Sequence, residues 1–179
     1  MDNPELTLLE SINRVLQDVS VSTHIDAIAD RINLQATRSE DLIAWETVPL
    51  EIYSKSLPAE IRSSWVFLLR EESVSGAERH PNSHQRVRSW RGKGDFQVWM
   101  EDQWETHLLD NRFDVPLERQ WASIPVNVWH QAVVSPGQHW IVLSFHTAAA
   151  NDLIEERPDS ADLRRIQQRV YAQVKGNHR

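Results

Sequence analysis

The sequence predicts a mainly β protein, built as one antiparallel β-barrel or sandwich with helices before and after it. Between residues 42 and 150, short segments rich in β-branched and aromatic residues are separated by turn residues at short, regular intervals. Outside this region, apolar residues recur at spacings of three and four, which is the helical period. With 179 residues, 40% of them hydrophobic, the chain is long enough for one domain with its own core.

Residues 1–41 are predicted to form an N-terminal helical arm. Pro4 suits a first helical turn, and the apolar residues from Leu6 to Val19 follow the helical period. Ser22 and Thr23 are typical capping residues and precede a second helical pattern over 25–32. We expect this arm to cover one mouth of the barrel or a partner subunit.

Residues 42–150 are predicted to form the barrel. Turns are expected at Gly92–Gly94, Glu101–Asp102 and Ser135–Gly137, and Pro49 predicts a bend or a sheet edge. Ser64–Leu69 is a continuous apolar run, which favours a strand buried on both faces. The other predicted strands are Leu42–Trp45, Val48–Ile52, Gln85–Arg91, Asp95–Met100, Gln103–Leu109, Gln120–Ile124, Val126–Val134 and His139–Thr147.

Residues 151–179 are predicted to form a C-terminal helix that packs on the barrel or on a partner subunit. The segment Arg157–Ser160 contains proline, aspartate and serine, which is a helix-start signal. Gly176 lies where a helix C-cap is expected. Between them, the helical spacing is carried by Leu163, Ile166, Val170 and Val174.

Composition and charge limit the classes of partner. A formal charge of −7 and a pI near 5.6 argue against nucleic acid as a partner bound through bulk charge. No apolar run reaches the length of a membrane span, and the acidic, amphipathic N-terminus does not resemble a secretory signal. The chain has no cysteine, which excludes disulfides and thiolate metal sites and predicts a cytoplasmic protein.

Two segments about fifty residues apart carry the candidate site residues. In the first, Glu78 and His80 stand two residues apart, Gln85 follows after a four-residue spacer, and Gly92 follows seven residues later. In spacing this resembles the first motif of the cupin superfamily, which has two histidines, a glutamate and a glycine at these places. Glu78 takes the place of the first histidine, and Gln85 takes the place of the glutamate.

The second segment resembles the second cupin motif, in which proline, glycine, histidine and asparagine stand at fixed spacing. Here Pro125, Asn127, His130 and Val134 take those places in turn. The resemblance covers roughly residues 64–147, and both metal-binding motifs are degenerate. It implies a cupin-like jelly-roll barrel, a divalent metal held by Glu78, His80 and His130, and a homodimer, because cupins often pair through their sheets.

Strand parity separates two further candidates for ligand binding, His84 and Gln85. Gln85, Val87 and Ser89 share one face of the predicted strand, whereas His84 shares the other face with two arginines. Arginines facing the barrel interior would be costly unless paired, so the first face is expected to point inward and Gln85 is favoured over His84. Both remain candidate ligand-binding residues.

Three classes of function follow. Two histidines and one carboxylate suffice for the facial triad that holds non-haem iron, and zinc or manganese would accept the same ligands. Such a site would bind a small organic acid or an aromatic ligand, as an oxygenase or an isomerase. The second class is a metal-free sensor or small-ligand-binding protein, and the third is a structural protein that binds a partner through exposed tryptophans and its terminal helices.

Overall fold

The computed structural model describes residues 4–53, 56–159 and 165–171, and it is mainly β with two helices. The helices are α1 (Pro4–Leu16) and α2 (Val19–Ala36). Helix α2 begins earlier than predicted, because the side chain of Asp18 caps it by accepting a hydrogen bond from the backbone of Ser20 at 2.8 Å. No helix in these ranges is long and apolar enough to cross a membrane.

Ten strands form two antiparallel sheets, which is the architecture expected of a jelly roll. The first sheet has the strand order β1-β2-β10-β4-β8, and the second has the order β3-β9-β5-β6 with β7 also pairing to β5. The sheets do not close into a continuous barrel over the described ranges. The strands are β1 (Ile43–Val48), β2 (Ser63–Leu69), β3 (Ser73–Val74), β4 (Gln85–Arg91), β5 (Lys93–Met100), β6 (Gln103–Glu105), β7 (Leu108–Asp110), β8 (Trp121–Ile124), β9 (His130–Val134) and β10 (Trp140–His146).

Two of the predicted turns have different roles in the fold. Glu101 and Asp102, at φ of 49° and 62°, make the two-residue hairpin turn between β5 and β6 that the sequence predicts. Gly92, at φ of 83°, does not close a hairpin, because β4 and β5 belong to different sheets. It carries the chain from one sheet to the other, and Gly94 then lies so close to Trp140 that a Cβ atom there would stand 2.2 Å from the indole.

The interior has two apolar layers, one on each face of the first sheet. Between the sheets lies a core that includes Val87, Phe96, Trp140 and Val142. On the outer face, buried side chains of α1 and α2 pack against the same sheet, so the N-terminal arm covers a sheet face rather than a barrel mouth. Because of this second layer, the central strands of the first sheet are buried on both faces.

The predicted C-terminal helix is wrong for the part of the chain that the structure describes. Ile154–Pro158 (β11) and Ile166–Val170 (β12) form a two-stranded antiparallel sheet. Non-local hydrogen bonds decide this, since the backbones of Arg79 and Glu156 exchange two bonds of 3.0 and 2.9 Å. Leu163 and Val174, on which the helical spacing also depended, lie outside the described residues.

Arg86 and Arg88 point away from the sheet interior, as parity predicts, but the helices bury them. Arg86 is 3% exposed and forms a bidentate ion pair with Glu5 of α1 at 2.8 and 2.9 Å. Arg88 is fully buried, and within the described residues its hydrogen-bond partners are the neutral groups of Asn13, Gln120 and the Ser89 carbonyl. Burial lowers the pKa of Arg88 to about 10, which still leaves it charged at neutral pH.

Asn13 should therefore be critical for stability. Its Oδ1 accepts hydrogen bonds from Arg88 Nε at 3.1 Å and from the Trp121 indole at 3.0 Å. Asn13→Ala leaves both buried donors without an acceptor, so we expect the free energy of unfolding to fall by about 2–4 kcal/mol, measured by urea denaturation. Asn33→Ala, on the exposed face of α2, is the matched control and should change it by less than about 0.5 kcal/mol. Equal effects of the two substitutions would contradict this role.

Candidate metal and ligand site

The structure brings the three predicted metal ligands together between the sheets. Glu78 and His130 pair directly through two backbone hydrogen bonds, of 2.9 and 2.8 Å, and His80 follows two residues after Glu78. One ligand atom from each of the three side chains lies within 4.8 Å of the others. The ring centroids of His80 and His130 are 5.4 Å apart, so the two imidazoles meet in one enclosed region.

Both histidines are held in the orientation that suits ligation through Nε2. His80 Nδ1 donates to the Ile154 carbonyl at 2.8 Å, and His130 Nδ1 donates to the Val128 carbonyl at 3.1 Å. A carbonyl only accepts hydrogen bonds, so each Nδ1 carries the proton and the lone pair of a neutral ring lies on Nε2. Burial, followed by the electrostatic effect of the neighbouring His130 imidazole, lowers the pKa of His80 to about 4, which keeps its ring neutral at pH 7.

His130 Nε2 is a buried nitrogen without a hydrogen-bond partner among the described residues. Glu78 Oε1 lies 3.5 Å away, at the outer limit of a hydrogen bond. Phe96 stacks on the imidazole at 5.6 Å between ring centroids and excludes water from that side. An orphaned buried acceptor is costly, so this atom fits a site that receives a cation or a hydrogen-bond donor.

Glu78 is held as a carboxylate by its neighbours. Burial alone would raise its pKa, but Arg157, His130 and His80 together bring the pKa well below its usual value. The guanidinium of Arg157 bonds to Glu78 Oε2, to Glu155 Oε1 at 2.6 Å and to the Ser75 carbonyl at 2.9 Å. Glu78 therefore presents Oε1 to His130, while Arg157 of β11 neutralises the charge at Oε2.

Glu155 extends this charge network away from the histidines. It is 1% exposed, its Oε1 also accepts from Arg169 Nε at 2.8 Å, and its Oε2 has no partner among the described residues. Burial, with the nearby carboxylate of Glu78, raises the pKa of Glu155. Two carboxylates and two guanidiniums thus form one connected cluster beside the histidines. Sequence reasoning missed it because β11 and β12 were expected to be helical.

Gln85 lines the cavity between the sheets, as parity predicts, but His84 does not. Gln85 Nε2 donates to Ser144 Oγ at 3.0 Å, and its Oε1 is buried without a partner in the described ranges. His84 lies on the opposite face of the sheet and bonds to Ser123 Oγ at 2.8 Å. Adjacent residues at the start of a strand point to opposite faces, and this corrects the inclusion of His84 among the ligand-binding candidates.

His146 is a further histidine at the site that the sequence did not single out. It is 1% exposed, its ring centroid lies 5.0 Å from that of His80, and its Nε2 is 2.8 Å from Ser144 Oγ. The signal that places it here is the register of β4 with β10, which sets His146 opposite Gln85. The spacing of residues along the sequence does not reveal this register and predicts only that His146 lies in the strand His139–Thr147.

The cavity itself is small. It has a volume of about 40 Å³ and includes Glu78, Gln85, Phe96, His130 and Arg157 in its lining. A space of this kind holds on the order of three waters. The His₂–carboxylate set fits a divalent cation, with the Gln85 carbonyl as a further oxygen nearby. A whole aromatic ligand does not fit in the cavity.

The protonation of His80 can be tested in metal-free protein. With ¹⁵N-labelled histidine at neutral pH, we expect His80 to be a neutral ring with its proton on Nδ1, because that atom donates to a carbonyl. Long-range ¹H–¹⁵N spectra report this directly, and the signals lost in His80→Gln identify the ring. If the signals that disappear in His80→Gln are those of a ring protonated on Nε2, the assigned hydrogen bond is wrong.

Comparisons with known proteins give similarity only at the level of the backbone. No protein-family model matches the sequence, and no curated protein matches it. Among solved structures, an oxalate oxidase in complex with the substrate analogue glycolate is 11% identical, with a TM-score of 0.44 over 61% of this chain and 53% of its own. The capsular polysaccharide assembling protein CapF from Staphylococcus aureus is 12% identical (TM-score 0.47, 61% of this chain, 29% of its own). Pumpkin seed globulin is 18% identical (TM-score 0.49, 66% of this chain, 29% of its own).

The chain therefore spans about half the length of the oxalate oxidase and less than a third of the other two proteins. The assignment of the fold rests on the order and pairing of the strands. Two facing antiparallel sheets, with the two motif segments joined at the Glu78–His130 pair, give this chain a jelly-roll fold, which is the fold that the sequence predicts.

Proposed function

We propose that the chain binds a divalent metal ion through Glu78, His80 and His130 and a small organic acid beside it. The observation that carries this proposal is the convergence of three ligand atoms within 4.8 Å, two of them imidazole nitrogens whose lone pairs are left available. A divalent ion held by these three residues would supply a Lewis acid, and iron would add oxygen chemistry, in keeping with an oxygenase or an isomerase.

The protein's own groups have separate tasks in this proposal. Glu78 supplies charge, and the carbonyls of Ile154 and Val128 orient the two imidazoles. Gln85 Oε1 is a buried acceptor for a hydroxyl group of the ligand or for a bound water. The amide nitrogen of Gln85 is already bonded to Ser144. Phe96 and its apolar neighbours in the core between the sheets keep bulk water out.

A specific observation favours the second candidate, a metal-free binding protein. Arg157 already bonds to Glu78, so a guanidinium neutralises the one carboxylate of the ligand set. Gln85 takes the position of a glutamate in the motif, and its neutral amide adds no second negative charge to the site. In this alternative the same cavity binds a small ligand without a cation, and a chelator leaves the thermal stability of the protein unchanged. The homodimer and the cytoplasmic location remain predictions from the sequence.

Metal analysis distinguishes the two candidates. In protein purified without a histidine tag, we expect about one divalent ion per chain, because the site offers one set of ligands. His80→Ala and His130→Ala should each remove most of it, measured by inductively coupled plasma mass spectrometry. His84→Ala, four residues from His80 on the other face of the sheet, should retain it. Trace metal that is unaffected by His80→Ala and His130→Ala would refute the metal proposal and leave the metal-free candidate.

A further inference from the structure

The cavity beside the histidines shares part of its wall with a larger cleft on the surface. The cleft has a volume of about 310 Å³ and shares Ile43, Ser75, Arg157 and Tyr171 with the cavity of about 40 Å³. Small-molecule sites usually enclose roughly 300–1,000 Å³. The cavity alone therefore accepts only the head group of a ligand, and the rest of the molecule must lie in the cleft.

We infer that the ligand is a monocarboxylic acid with an apolar body, whose carboxylate Arg157 recognises at the junction of the cavity and the cleft. This assignment rests on the proposed function in taking the same cavity as the binding site. It adds the substrate class and a specificity-determining residue, and it places the apolar body in the cleft against Trp45.

Arg157 has the hydrogen-bonding capacity for this role. A guanidinium has five N–H donors, and three of those in Arg157 bond to Glu155, Ser75 and Glu78. Within the described part of the chain this leaves one N–H on each of the two terminal nitrogens that can donate to a carboxylate of the ligand. The side chain is 25% exposed and lines both spaces, so a ligand in the cleft can reach it.

The cleft itself favours an apolar body with one acidic end. Leu42, Ile43 and Trp45 line it, and the Trp45 ring lies 5.2 Å from that of Tyr171 between centroids. Asp41 also lines the cleft, and its charge disfavours a second carboxylate at that end. Aromatic and aliphatic acids satisfy both conditions.

The charge balance couples acid binding to the proposed metal. Glu78 and Glu155 are matched by Arg157 and Arg169, so a carboxylate that binds alone adds an unmatched negative charge to a partly buried cluster. A divalent ion at Glu78, His80 and His130 would supply the missing positive charge. We therefore expect the acid to bind more tightly to metal-loaded protein than to chelated protein.

Two pairs of probes test the recognition of the carboxylate. Hexanoate is compared with hexanamide, and 3-phenylpropanoate with 3-phenylpropanamide, by isothermal titration calorimetry on the metal-loaded full chain. Each amide has the shape of its acid but no charge, so we expect the acid to bind about 10- to 100-fold more tightly. In Arg157→Gln this ratio should fall to about threefold or less.

Arg169→Gln is the matched control. It removes the same charge from the neighbouring strand, and it contacts Glu155 as Arg157 does, but it lines only the cleft. Because the charge of Arg169 contributes to the balance of the cluster, the acid-to-amide ratio should fall, but clearly less than in Arg157→Gln. If Arg157→Gln does not fold, Arg157→Lys keeps the charge without the planar fork and should give an intermediate ratio.

Three results would overturn the inference. These are equal binding of acid and amide to the wild type, no binding of any probe at about 10 mM, and an equal loss of the ratio in Arg157→Gln and Arg169→Gln. Repeating the titrations after chelation separates this inference from the metal proposal. A normal metal content with no acid preference refutes only the inference, whereas an Arg157-dependent acid preference in protein that takes up only trace metal refutes only the metal proposal.

Discussion

The backbone pairing of Glu78 with His130 is the contact on which the candidate site depends. Two hydrogen bonds join segments that lie about fifty residues apart. Directly opposed residues in an antiparallel pair place their side chains on the same face, so the carboxylate and the imidazole enter one cavity. The ring of His80, two residues after Glu78, lies 5.4 Å from that of His130 between centroids. Arg79 lies between Glu78 and His80 in the sequence. Its side chain points to the other side, where its guanidinium stacks over Trp129 at 4.6 Å.

Burying a carboxylate at this position requires a cation, and the C-terminal strands supply it. Arg157 bonds to Glu78 from β11, and the backbone of Glu156 pairs with that of Arg79. The same contacts that neutralise Glu78 therefore hold β11 and β12 against the jelly roll. His80 is tied in as well, because its Nδ1 donates to the Ile154 carbonyl at the start of β11. The electrostatics of the site and the conformation of this segment cannot be separated.

The opposite face of the first sheet follows the same physical rule. Arg86 and Arg88 point outward and lie beneath helix α1, where a buried donor without an acceptor is costly. Glu5 pairs with Arg86, and Asn13 accepts from Arg88. These polar contacts fix where the helix lies on the sheet, while its apolar residues provide most of the buried surface. The hydrogen-bond partners of the Arg88 guanidinium are neutral, and the phenyl ring of Phe113 covers its charge at 4.0 Å.

The sequence by itself determined the mainly β class, the two N-terminal helices, the β5–β6 turn and the inward face of β4, because local periodicity and turn chemistry encode them. It also singled out Glu78, His80 and His130 through the spacing of two segments, and their role as metal ligands stays a prediction. Only the tertiary structure decided that Gly92 joins two sheets, that Arg88 is buried, and that His146 and Arg157 stand beside the three candidate ligands. These features depend on strand register and on hydrogen bonds between distant segments, such as Arg79 and Glu156. The spacing of residues along the sequence reveals neither the register nor these long-range bonds.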